Sequence, residues 1–243
     1  STPPDLEPEM QSLLREARDT STYDPLKALA RCLRELGLDK ARLGFDDLHL
    51  AEGLKERYLP DFQARPAQHL FVQIRLVKTP DELQVMHEAA RINQGAMEEA
   101  FKLAQEGADV AEMATAFRVA LVRQGAIPEK KGFLTGPPVE LNLAEQHHRK
   151  LQKGDAMPCD AVSSYRFYNS DLGRTVVVGA PTGSQTALHR TVMAAFARLD
   201  SLVKPGINTK EIFTAIQQTV AQEGGDVTKL AIYCHAIGLD SYE

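Results

Sequence analysis

The 243-residue sequence has only three cysteines, Cys32, Cys159 and Cys234, far apart and without a CxxC pair. That scarcity excludes a disulfide framework and a zinc ribbon and points to a reducing compartment, the cytoplasm. No run approaches the roughly 18 to 20 uninterrupted apolar residues that a membrane helix needs, which excludes a membrane span. Basic residues are not in excess: 28 Lys and Arg against 33 Asp and Glu give a net charge of -5. The main electrostatic argument for a nucleic-acid partner is thereby removed. The first residues, Ser1-Thr2-Pro3-Pro4-Asp5, lack the basic and apolar layout of a signal peptide and also an initiator Met, so the start is read as processed or truncated. What is present, 43% apolar and 25% charged residues, is ample for a globular core.

Periodicity predicts a helix over 23–38, with Leu26, Leu29, Ala30, Leu33 and Leu36 on one face and a stop at Gly37. A short strand at Arg42-Leu43-Gly44-Phe45, a helix from Leu48 to Leu59 and a strand from Gln68 to Arg75 continue an alternating α and β pattern. Lys78-Thr79-Pro80-Asp81-Glu82 marks a boundary: Thr79 caps a helix, Pro80 suits its first position and Glu82 completes a capping box. Leu83, Met86, Ala90, Met97 and Phe101 form the stripe of that helix, and Gly107 ends it. Residues 1–76 are read as a small α/β N-terminal unit and 77–243 as the main domain.

The main domain carries an internal repeat with an offset of 99 residues. Gly107 matches Gly206, Asp109 matches Asn208, Glu112 matches Glu211, Met113 matches Ile212, Leu121 matches Val220 and Gly125 matches Gly224. Each half reads helix, glycine turn, capped helix, glycine stop. The first half runs on through strand-like segments to Gly179, whereas the second stops at Glu243. Equivalence of the halves implies that about thirty or more residues of strand are missing at the C-terminus.

The most informative stretch is 154–179, a β-hairpin in which one strand runs into Asp160, a polar and aromatic turn follows, and Asp171 leads into the β-branched run from Thr175 to Val178. Two carboxylates on adjacent strands suit hard divalent metals or acid and base work. The alternative, in which Asp160 caps a turn and Asp171 pairs with Arg174, stays open. His235, delivered by the apolar segment from Leu230, adds an imidazole suited to Mn, Co, Fe or Zn. Tyr165, Phe167 and Tyr168 are candidates for lining a substrate pocket, against the simpler reading that they pack on a neighbour. Gly132 to Pro138 has Pro137-Pro138 where a phosphate loop has Lys and Ser/Thr after its second glycine, and is read as a strand and turn.

These residues together resemble the metallopeptidases of the pita-bread fold, which include Xaa-Pro aminopeptidase, prolidase, methionine aminopeptidase and creatinase. The resemblance rests on Asp160 and Asp171 eleven residues apart, on Ser170-Asp171-Leu172-Gly173-Arg174-Thr175, similar to S-D-x-x-R-T, and on His235-Ala236-Ile237-Gly238-Leu239, similar to H-G-I-G-L. It implies an α+β pita-bread domain with a pseudo-twofold repeat, preceded by the last part of a creatinase-like domain. It further implies Asp160, Asp171 and His235 as metal ligands, with two glutamates beyond Glu243 completing the set. Two divalent ions would generate a bridging hydroxide that cleaves the amide bond of Xaa-Pro peptides. A homodimer acting on a peptide or small amide is also implied, as is an inactive fragment if the later glutamates are absent.

Three departures bear on substrate. The family's proline-associated His falls near Leu143, with His147 and His148 close but out of register; His148 is the candidate substrate contact. Tyr242-Glu243 stands where His-Glu is usual, and a phenol of reference pKa near 10 cannot shuttle a proton near pH 7. Ala236 replaces Gly. Alternative readings are a non-peptide C–N hydrolase like creatinase or ectoine hydrolase, and a non-catalytic binding module on the same fold.

Overall fold

The computed structural model describes residues 7–133, 149–229 and 235–243. The chain divides into two compact units, Ser1–Val77 and Lys78–Glu243.

In the first unit, α1 (Pro8–Thr20) is followed by α2 (Pro25–Glu35), which starts where the Asp24 carboxylate accepts from the amides of Leu26 and Lys27. The same carboxylate accepts from the Tyr58 hydroxyl and the Arg57 guanidinium. The Tyr58 hydrogen bond holds Asp24 below the usual carboxylate range and pushes the phenol up. Strands β1 (Arg42–Phe45) and β2 (Gln63–Pro66) pair in parallel across helix α3 (Leu48–Arg57). Ala30, Leu33, Ala51, Leu54, Leu59 and Phe62 form the core, with the Phe45 ring edge-on to Phe62 at 5.8 Å. One expectation fails here. Residues 68–75 are not a strand but lie in helix α4 (Gln68–Leu76). Leu70, Phe71 and Ile74 recur at helical spacing, and β2 already supplies the parallel partner of β1.

The second unit begins with α5 (Pro80–Phe101), whose capping box is complete: Thr79 accepts from the Glu82 amide, and Glu82 from the Thr79 amide. Its buried face is Ala89, Ile92, Asn93, Ala96, Met97 and Ala100. Of the expected stripe only Met97 is fully buried, while Leu83 is exposed. The helix packs on both α6 and the sheet, so alanines that permit close approach take the buried face. It also ends at Phe101; Gly107 lies further on, at φ +83°, where its amide donates to the Leu151 carbonyl.

The repeat is structural. Helices α6 (Val110–Arg123) and α8 (Thr209–Gln222) begin and end 99 residues apart, capped by Asp109 on the Ala111 amide and by Asn208 on the Lys210 amide. Met113, Phe117 and Leu121 are buried in one, and Ile212, Ile216 and Val220 in the other. Between them, β3 (Ile127–Phe133), β4 (Ala156–Tyr165) and β5 (Tyr168–Val177) form an antiparallel sheet in the order β3-β4-β5. Met157, Cys159 and Ala161 of β4 close the larger core against α5 and α6, and α7 (Gly183–Leu202) packs with α8 on a smaller one.

Candidate metal centre

The hairpin β4–β5 turns on two residues only, Arg166 and Phe167, both at positive φ (49° and 70°). That is the hand of turn a two-residue hairpin needs, taken by side chains that adopt it at a cost of about 1–2 kcal/mol each. Both strands therefore run past the carboxylates rather than ending at them. Val162 stands opposite Asp171 and Asp160 opposite Gly173, so the two aspartates are diagonal neighbours on one face of the sheet. That face is turned away from the helices, since Met157, Cys159, Ala161 and Ser163 fill the other. Asp160 also has Gly132 opposite it on β3, and a Cβ added at Gly173 would meet only the Cys159 carbonyl, at 4.0 Å. Gly173 thus leaves the space beside the carboxylate open on the β5 side.

His235 reaches the same face: its Nε2 lies 3.6 Å from Asp171 Oδ2. This is longer than a hydrogen bond. It is close to the roughly 3.4 Å that separates two atoms bound tetrahedrally to one ion at about 2.1 Å. Nδ1 is 3.1 Å from the Ala236 carbonyl, a contact that favours the tautomer with the proton on Nδ1 and the Nε2 lone pair toward the carboxylates. The Tyr242 ring stacks on the imidazole at 4.1 Å and 26°. Among the described residues no group of three or more His, Cys, Asp or Glu side chains converges closely enough to hold an ion alone. The donors that do share this face, two hard carboxylates and an imidazole, fit a divalent ion as part of a larger set.

Tyr165 and Tyr168 are not where a pocket-lining role needs them. Odd spacings separate Tyr165 from Asp160 and Tyr168 from Asp171, so both rings fall on the helix-packed side of the hairpin. Tyr165 packs against the larger core under the Arg166 guanidinium, and the Tyr168 hydroxyl donates to Glu82 Oε1 at 2.8 Å. His147, His148 and Leu143 lie outside the described residues, as does the segment 230–234 before His235.

The Thr79 amide, followed by the Tyr168 hydroxyl, holds the Glu82 carboxyl below its ordinary 4.5, and the bond to Glu82 pushes the Tyr168 phenol above 10.0. The Glu82 contribution is full above 4.5 and is lost as pH falls through the depressed value; the Tyr168 contribution is full below 10.0 and is lost as pH rises through the raised one. Tyr168→Phe is therefore expected to lower Tm at neutral pH and to flatten the alkaline fall in Tm. Thermal melts from pH 3 to 11 check this, and an unchanged alkaline limb contradicts it.

Of the residues beside the aspartates at the turn end of the hairpin, sequence reasoning named only Phe167 and missed the others. A cleft of about 740 Å³ is lined there by Ile127, Glu129, Ser164, Arg166, Phe167, Asn169, Leu239, Asp240 and Ser241. Ser164 donates to Glu129 at 2.7 Å, and Asn169 ties β5 to the carbonyls of Gly238 and Leu239. The sequence carried no signal for them, because Arg166-Phe167 lacks the Gly, Asn or Asp that marks a two-residue turn.

Residues 84–243 match the metallopeptidase family M24. The sequence is 25% identical over 226 residues to an Xaa-Pro dipeptidase of Pyrococcus furiosus, covering 91% of this chain and 63% of that protein. It is 27% identical over 177 residues to the methionine aminopeptidase of Escherichia coli, covering 69% and 66%. An X-Pro aminopeptidase from Thermotoga maritima superposes with a TM-score of 0.78 at 20% identity, over 92% of this chain and 64% of that one. The prolidase from Pyrococcus furiosus gives 0.71 at 24%, over 83% and 61%. The chain thus spans about two thirds or less of the length of these relatives. The class defined by the fold and the family match is the pita-bread metallopeptidases. The chain belongs to metallopeptidase family M24.

Proposed function

We propose that the protein is a metal-dependent hydrolase that cleaves the amide bond of Xaa-Pro peptides. The observation that carries this reading is the diagonal pair Asp160 and Asp171 with His235 Nε2 3.6 Å from Asp171. Support for the substrate class comes from the relatives named Xaa-Pro dipeptidase. In this reading Asp160, Asp171 and His235 hold divalent ions of the Mn, Co, Fe or Zn group, two in the complete site. A bound ion of that kind polarises the scissile carbonyl and makes water nucleophilic near neutral pH. The chain's own part is positional: antiparallel pairing fixes the carboxylates, the Ala236 carbonyl sets the imidazole tautomer, and the neighbouring cleft admits the peptide.

A small-molecule amide is the second reading, favoured by Tyr242, which stacks on His235 and offers a phenol where the family commonly has a second imidazole. Assay of the full-length protein with Mn or Co against Xaa-Pro dipeptides, Xaa-Ala dipeptides and a panel of small amides separates the two. Hydrolysis of Xaa-Pro with release of free proline is the expected result. No hydrolysis of any Xaa-Pro dipeptide with either metal defeats the first reading.

A further inference from the structure

Glu243 is the last residue of the second unit and Lys78 the first, yet Lys78 Nζ lies 2.6 Å from Glu243 Oε2. Their side chains are only 10% and 1% exposed. An ion pair this well shielded from water acts at close to full strength, unlike the exposed pairs elsewhere on the surface. The other carboxylate oxygen accepts from the amides of Leu239, at 3.0 Å, and Asp240, at 3.3 Å. The Glu243 amide donates to the Ala236 carbonyl at 3.0 Å, closing the segment into a ring around its own carboxylate. A Cβ on Gly238 would sit 2.5 Å from Glu243 Oε2, so this position has to be glycine for the carboxylate to occupy the centre. The ring begins one residue after His235, and the Ala236 carbonyl that accepts from Glu243 also faces His235 Nδ1.

We propose that the Lys78–Glu243 ion pair is a positioning device for His235: it clamps the segment 236–243 to the start of α5 and so sets where the imidazole stands relative to Asp171. The inference rests on the metal-ligand reading above. Glu243 and Lys78 touch neither substrate nor ion in this scheme; they act through the backbone that carries His235. Two other contacts converge on the same ring, from Asn169 on β5 and from the Tyr242 stack, so the imidazole is held from β5, from α5 and by its own loop.

The test is Co(II) titration of the full-length protein, wild type against Glu243→Gln and Lys78→Met, following the visible spectrum of the bound ion and its Kd. Glu243→Gln keeps an oxygen for the two loop amides and removes only the charge; Lys78→Met gives an independent reading should the first variant not fold. Removing a group that orients a metal ligand is expected to weaken binding about 10- to 100-fold. It is also expected to shift the Co(II) bands, because the imidazole changes position. Lys102→Met, which removes the exposed Lys102–Glu99 ion pair at the far end of α5, serves as the control and is expected to keep the wild-type Kd and spectrum. A purely structural pair would lower Tm in both variants and leave Kd and spectrum as in wild type, and that result overturns the proposal. Wild-type protein that takes up no Co(II) overturns the metal reading itself and the positioning role with it.

Discussion

Asp171→Asn is expected to abolish metal-dependent activity, lowering kcat/KM by about 10³-fold or more, since a bound ion contributes several kcal/mol to the transition state and each 1.36 kcal/mol is tenfold. The substitution keeps the shape of the side chain and removes the charge that would compensate a cation. Asp171 is the residue to change because it is the carboxylate that faces His235, with Oδ2 3.6 Å from Nε2, while Asp160 stands diagonally across the strand pair. Stability separates this reading from a structural one. Without metal the two carboxylates share one face, so losing one charge is expected to leave the apo Tm unchanged or slightly raised. Wild-type protein is expected to gain stability with added Mn or Co, in proportion to RT ln(1 + [L]/Kd), and the variant to gain little. Melting curves with and without metal, beside dipeptide hydrolysis, check both halves. A variant that loses stability in the apo form but still responds to metal contradicts the assignment.

The second large effect is expected at Asn93. Its side chain is fully buried on α5, and Nδ2 donates to the Ala161 carbonyl at 2.9 Å, to Ser170 Oγ at 3.2 Å and to the Ser170 carbonyl at 3.4 Å. One amide thus fastens the helix to both strands of the hairpin, one residue from each aspartate. Asn93→Leu removes the donor and strands those acceptors in an apolar interior, a change expected to cost about 2–4 kcal/mol. For a protein of this size that corresponds to a fall in Tm of roughly 4–16 °C. Urea denaturation followed by circular dichroism measures it; a loss under about 1 kcal/mol contradicts the role. Since the hairpin carries Asp160 and Asp171, metal affinity is expected to fall with stability in this variant.

Much of the second unit was legible because its signals are local. Thr79 and Glu82 specify their helix start through side chains three residues apart, and the 99-residue repeat locates both ends of α6 and α8. The strand expected over 68–75 is instead a nine-residue helix, in which Leu70, Phe71 and Ile74 keep helical spacing. The tyrosines were also misplaced. A broad turn was expected where the chain makes a two-residue one, and once the turn is placed at Arg166-Phe167, parity alone sends Tyr165 and Tyr168 to the face opposite the aspartates.

By itself the sequence determined the caps, the repeat and the hairpin and singled out Asp160, Asp171 and His235 as candidate ligands, because each depends on residues within one or two turns or on a motif of a few positions. Only the tertiary structure decided which face the carboxylates share, that His235 approaches Asp171 from 64 residues away, and that Lys78 meets Glu243 across 165. Periodicity and capping are properties of neighbours along the chain. Partners across it are chosen by how helices and sheet pack, and that choice is made by burial of the whole core rather than by either residue alone.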